Sequence, residues 1–350
     1  MTASPNALQE SSGTYVYRCV DRSCLSAWIA RRVAPPVERW LPPAWSANAI
    51  TALGAGLVWV LLAGVLAVPA TWRAGLAPLW VALLWGYCVL DHVDGCRARR
   101  LRSSSAWGEF LDHGLDAWHA SMVVIVAAVV SSAAVRPWLA VATVAATGLA
   151  TVATWLEQRW RGELFLDQIG PVEGVLVVGI YLATWTWPGA GEWWMAPVSD
   201  GAVLSRAECM FVIGAGGALA SAVLAVARTP GGVWHLSGFG GSALALAASV
   251  PAGAPGAVVV AALGLSTADA ATRIIASHLG REACPRPDFV GAGLVWLGLG
   301  LPTVATGWFT ASLIWLVARA AGGWFGAARL RRSRVAGQVA GISNELGVGK

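Results

Sequence analysis

The chain has 350 residues, 57% of them hydrophobic and only 12% charged, with a formal net charge of +5 and a mean hydropathy of +0.62. Soluble domains carry roughly 25% charged residues, so a water-soluble globular core is excluded, and several apolar runs reach the ~20 residues that a bilayer crossing needs. The six cysteines form neither a CxxC pair nor a Cys/His ligand spacing, which excludes a sulfur-ligated metal site, and the modest basic excess gives no reason to invoke nucleic acid.

The first forty residues are polar and lack a short apolar core followed by a small-residue cleavage site, so no cleaved leader is expected. Within them Leu25, Trp28, Ile29 and Val33 fall on one helical face with arginines opposite, which predicts an amphipathic helix lying in the headgroup region. Ten transmembrane helices are then expected, over 48–68, 75–94, 108–134, 137–157, 172–187, 207–227, 236–251, 255–279, 288–304 and 306–328. With both termini cytoplasmic, nineteen of the 24 Lys and Arg lie on that side and three on the other, the asymmetry that orients membrane proteins. The expected architecture is therefore all-α, a multi-pass membrane helix bundle over 47–328. A cytoplasmic segment 1–46 with the interfacial helix precedes it, and a basic cytoplasmic tail, 329–350, follows.

Acidic residues at membrane depth are costly and mark function, and here they cluster. Asp91 and Asp94 lie three apart at the end of the second predicted span, and Asp112 and Asp116 four apart at the start of the third. Each spacing puts its pair on one helical face, so an antiparallel hairpin can converge four carboxylates. Four bare carboxylates would repel one another; two hard divalent cations relieve that, and oxygen-only ligation selects Mg²⁺ or Mn²⁺ over Zn²⁺. Gly95, Gly108 and Gly114 lie beside or between these acids and leave room for a phosphate-bearing ligand near the backbone. Arg97, Arg99, Arg100 and Arg102 can pair with phosphate, Arg99 foremost. His113, three residues before Asp116, is a candidate general base, and Glu109 can orient a metal ligand or a nucleotide. His92, His119, His235 and His278 are read as structural or interfacial, and Asp269 as a helix-packing hydrogen-bonding residue.

The stretch reads D-x2-D-G-x2-A-R-x8-G-x3-D-x3-D through Asp91, Asp94, Gly95, Ala98, Arg99, Gly108, Asp112 and Asp116. This resembles the signature of the CDP-alcohol phosphotransferase family. Ala98-Arg99-Arg100, Ser103-Ser104-Ser105, Gly108-Glu109 and Asp112-His113-Gly114 are similar to its choline/ethanolamine phosphotransferase branch. So are the opening from Tyr15 to Ser26 and Asn48-Ala-Ile-Thr51, where Ala47 replaces a proline. The resemblance implies a CDP-alcohol held by Asn48, Gly95, Ala98, Arg99, Gly108 and Glu109, with two Mg²⁺ or Mn²⁺ ions on the four aspartates. It implies transfer of phosphoethanolamine or phosphocholine to diacylglycerol with release of CMP, at a cytoplasm-facing site. Asp116 or His113 takes the hydroxyl proton, and a homodimer is left open. The alternative within the family is a donor of CDP-diacylglycerol acting on inositol or glycerol phosphate; its enzymes resemble a shorter, six-span form. A cation transporter is disfavoured, because no second copy of the Asp cluster supplies the internal repeat such proteins often show.

Overall fold

The structure is a computed structural model, and it describes residues 15, 17–250, 256–290, 293, 314–327 and 330. Withdrawn from water, an apolar chain must satisfy its own backbone hydrogen bonds, and helices do this within each segment. Strand β1 (Cys19–Asp21) is followed by α1 (Cys24–Trp28), α2 (Ala34–Trp40), α3 (Ala47–Ala67), α4 (Ala70–Arg73), α5 (Ala77–Arg100), α6 (Ala106–Val130) and α7 (Pro137–Arg161). Then come β2 (Leu164–Leu166), α8 (Pro171–Thr184), α9 (Ala190–Met195), α10 (Arg206–Ala227), α11 (Gly232–Ser249) and α12 (Gly256–Leu279). A further helical stretch covers 314–327.

The ten-crossing expectation is corrected here. Among the described residues five helices are long and apolar enough to cross a membrane: α3, α6, α7, α10 and α12. The predicted spans over 75–94, 172–187 and 236–251 do form helices but miss that standard for separate reasons. The end of α5 carries Asp91, Asp94, Arg97, Arg99 and Arg100, so only its first part is apolar. The 14 residues of α8 rise about 21 Å at 1.5 Å each, short of the ~30 Å hydrocarbon core. Gly and Ser dilute α11. The span expected over 288–304 and the tail 329–350 fall largely outside the described residues; of the span expected over 306–328, residues 314–327 are described and helical.

Two apolar cores share α6 and α7. One gathers Leu61, Leu84, Val126 and Leu182 from α3, α5, α6 and α8; the other gathers Val144, Leu246, Leu263 and Ile275 from α7, α11 and α12. Helix α3 packs along both α5 and α6.

The segment expected to lie in the headgroup region does form helix, with a π turn over Ile29–Val33 joining α1 to α2. That wider turn shifts the face: Ile29 is buried, whereas Trp28 and Trp40 are exposed beside Arg31, Arg32 and Arg39. The N-terminal segment is tied down by β1, which pairs in parallel with β2 (Cys19 with Leu164, Asp21 with Leu166). Gly162 makes this return possible by ending α7 at a φ of +76°, a left-handed conformation that glycine adopts without a Cβ penalty.

Candidate active site

The site begins with two helix ends. Helix α5 finishes in a turn where Ser103 N–H donates to the Ala98 carbonyl at 3.0 Å. Helix α6 opens on Ser105, whose extended backbone and Oγ, accepting from Gly108 N at 3.1 Å, make an N-cap. The two ends thus leave the chain only a short connection, and their acidic faces meet.

One oxygen from each of Asp91, Asp112 and Asp116 lies within 4.8 Å of the others, all partly buried. Asp94 joins them in lining a small cavity with Thr51, Gly54, Tyr87, Leu115 and His119. Asp94 is buried and accepts a short hydrogen bond from Thr51 Oγ1 of α3. All four aspartates line this one cavity, as the helical spacings led one to expect, and α3, which packs along both α5 and α6, bridges the two helices. The approach is close at Gly54, where a Cβ would sit 3.3 Å from Leu90 Cβ.

The donor set fits hard divalent cations. It is all oxygen, three carboxylates share one point, and Asp112 Oδ1 is buried with no hydrogen-bond partner. A buried acceptor of that kind is expensive unless something else satisfies it.

The remaining expected residues separate into groups. Asn48 Oδ1 would lie 3.3 Å from a Cβ on Gly108, so the start of α3 meets the start of α6 there. Gly95 lies under Arg99, whose Nη1 is 3.3 Å from the position of a Cβ; Arg99 is exposed and forms no ion pair among the described residues. Arg97 differs: it is fully buried, paired with Glu38 at 2.6 Å, and donates to the carbonyls of Glu38, Leu41, Pro42 and Pro43. Arg100 also pairs with Glu38, at 2.8 Å. A Cβ on Gly114 would meet Trp324 at 3.3 Å and Thr272 at 3.7 Å, so its small size serves helix packing rather than ligand space.

His113 and Glu109 meet each other off the cavity lining. Glu109 accepts from Gln158 Nε2 at 2.9 Å and lies 3.7 Å from His113 Nδ1. The His113 ring is buried, stacked on Trp155 at 4.7 Å and tilted against Tyr17 at 5.7 Å. It does not line the carboxylate cavity.

Sequence reading missed three groups. Thr51, Tyr87 and His119 line the cavity, and His119 had been assigned a structural or interfacial role. Their spacing carries the signal: Tyr87 precedes Asp91 by four residues and His119 follows Asp116 by three, which places each on a carboxylate-bearing face. Asp269, expected to hydrogen-bond between helices, does so as a charged pair: it accepts from Arg319 Nε of the 314–327 helix at 3.0 Å, and also from Arg273 Nε on its own helix at 2.6 Å.

The helices long enough to cross a membrane and the carboxylate cluster between two helix ends together give a membrane-type fold with a place where divalent cations could bind. Residues 44–206 match the family described as CDP-alcohol phosphatidyltransferase. Over 179 residues it is 30% identical to an uncharacterised CDP-alcohol phosphatidyltransferase class-I family protein of Schizosaccharomyces pombe, covering 49% of this chain and 46% of that one. A cholinephosphotransferase 1 of Gallus gallus is 39% identical over 114 residues, 31% of this chain and 33% of its own. A choline/ethanolaminephosphotransferase 1 of Saccharomyces cerevisiae is 27% identical over 187 residues, 51% and 46%. The chain thus matches less than half the length of these relatives.

Proposed function

We propose that this chain transfers phosphoethanolamine or phosphocholine from a CDP-alcohol to diacylglycerol and releases CMP. The observation that carries the reading is the convergence of Asp91, Asp94, Asp112 and Asp116 on one cavity. Similarity to a cholinephosphotransferase and a choline/ethanolaminephosphotransferase supports the choice of donor.

The four aspartates are the residues that would hold two Mg²⁺ or Mn²⁺ ions. Bound there, the ions supply charge neutralisation of the pyrophosphate and of the departing CMP. Arg99, exposed above Gly95, receives phosphate oxygens; Gly95 keeps the backbone open beneath it. Asn48 and Gly108 bring two helix starts together where the nucleotide end of the donor is placed. The lipid hydroxyl must come within ~3–3.5 Å of phosphorus and in line with the leaving oxygen. Its oxygen forms the new P–O bond as the bond to CMP breaks, and CMP departs with the electron pair. The hydroxyl proton passes to a protein base. Asp116 lines the cavity and is the better placed of the two candidates, because His113 is off its lining, against Trp155 and Glu109.

Glu157 and Glu173 are both engaged elsewhere, so neither is free to face a cationic alcohol. Glu157 is buried and paired with Arg228 at 2.6 Å; Glu173 accepts from Ser23 Oγ and from Gly170 N. The basic ends of the helices are proposed to face the cytoplasm on the charge asymmetry alone; a cysteine placed at Ser104 should resist an impermeant thiol reagent in intact cells, and ready labelling would reverse the orientation.

With five long apolar helices described, span number no longer separates this reading from CDP-diacylglycerol-dependent transfer to inositol or glycerol phosphate. Purified protein incubated with each radiolabelled donor does. Label from CDP-choline or CDP-ethanolamine is expected in diacylglycerol-derived product. Incorporation solely from CDP-diacylglycerol in the presence of a polar alcohol would establish the other direction of transfer.

A further inference from the structure

Asp116 is held from behind by two residues on different helices. Tyr87 of α5 donates its hydroxyl to Asp116 Oδ1 at 2.7 Å. His119, one turn along α6, brings Nδ1 to 3.6 Å from the same oxygen. Its ring meets Tyr87 edge-on, with centroids 4.8 Å apart. His119 is 2% exposed, lines the carboxylate cavity, and has no hydrogen-bond partner on either ring nitrogen. Behind Tyr87, Gly54 lets α3 press close, with a Cβ there only 3.8 Å from Tyr87 Cδ2. The Tyr87 ring is therefore fixed between α3 and α6.

We propose that Tyr87 and His119 are positioning residues for Asp116. They fix its Oδ1 and leave Oδ2, which has no hydrogen-bond partner among the described residues, as the oxygen presented to the cavity. The two groups have different parts. Tyr87 fixes the carboxylate plane through a bond across α5 and α6, so it also sets the spacing between the helix bearing Asp91 and the helix bearing Asp116. His119 occupies the space beside Oδ1 and prevents the carboxylate from rotating along its own helix. A buried ring without a hydrogen-bond partner is a costly feature for mere packing, whereas partners behind a metal-binding carboxylate orient it and typically alter metal affinity by 10–100-fold. Leucine or phenylalanine would fill either place without that cost. This inference rests on the proposed reading of the four aspartates as divalent-cation ligands.

The test is Mn²⁺ binding to purified, reconstituted protein without substrate, read from the free-ion electron paramagnetic resonance signal, beside kcat and KM for the CDP-alcohol. Tyr87→Phe keeps the ring and its packing, so it should stay folded and monodisperse yet bind Mn²⁺ about tenfold more weakly. His119→Leu should do the same, and His119→Asn, which returns a donor near the Nδ1 position, should recover most of the affinity. At saturating Mn²⁺, KM for the donor should hold while kcat falls. Mn²⁺ affinity in Tyr87→Phe equal to wild type would overturn the inference while leaving the metal site intact. Wild-type protein that binds no Mn²⁺ would remove both this inference and the function beneath it.

Discussion

Replacing Asp91, Asp94 or Asp112 with Asn should lower turnover at least a hundred- to thousandfold, the range seen when one electrostatic contact to a developing charge is deleted. The substitution is isosteric, so the cavity keeps its shape while one unit of negative charge disappears from a group of four. Three of these carboxylates lie within 4.8 Å of one another, and like charges at that range oppose the folded state. Stability should therefore move opposite to activity: each variant should melt at or above the wild-type temperature while its turnover collapses. That opposition distinguishes a functional cluster from a structural one, in which both quantities would fall together. CMP release and thermal unfolding of the same purified preparations check it. An Asp112→Asn variant with near wild-type turnover would contradict the assignment of Asp112, whose Oδ1 is otherwise an orphaned buried acceptor.

Arg97→Met should give the largest loss of stability among the arginines near the site. The guanidinium is fully buried, pairs with Glu38 at 2.6 Å, and reaches four carbonyls at the end of α2 and the turn beyond it. Helix-end carbonyls have no partner within the helix, so Arg97 acts as the C-terminal cap of α2. Methionine fills similar volume but leaves Glu38 buried with a weaker counter-charge. Breaking a buried pair this way costs about 3–5 kcal/mol. The lower end is expected, because Arg100 still holds Glu38 at 2.8 Å. Thermal unfolding in detergent should show a marked decrease for Arg97→Met. Arg99→Ala should leave unfolding unchanged, since Arg99 forms no ion pair among the described residues, while reducing turnover. An Arg97→Met protein as stable as wild type would show that α2 is anchored by other contacts.

These two arginines show where sequence reading reached its limit. Arg97, Arg99, Arg100 and Arg102 look alike as a run after Asp94, and Arg99 stood out only through its motif position. What divides them is Glu38, roughly sixty residues earlier on another helix, which claims Arg97 and Arg100. Gly114 is similar: its local setting between two aspartates suggested ligand space, whereas Trp324, some two hundred residues later, fills it.

The carboxylate cluster was legible because its determinants are local. Spacings of three and four residues fix a helical face, and acids at membrane depth are rare enough to stand out. The same arithmetic, extended one turn outward, leads to Tyr87 and His119, which neutral side-chain chemistry had left inconspicuous. The number of membrane crossings was less legible. A stretch such as 75–94 is apolar by composition, yet its functional charges and the short or glycine-rich helices nearby keep length and apolarity from coinciding.

The central claim is that the four aspartates work through divalent cations to move a phospho-alcohol between CDP and a lipid. Its most direct test is CMP release by the purified wild-type protein, given CDP-ethanolamine or CDP-choline and diacylglycerol, before and after chelation. Excess EDTA should reduce release to background, and Mg²⁺ or Mn²⁺ added back should restore it; undiminished CMP release in excess EDTA would contradict the account.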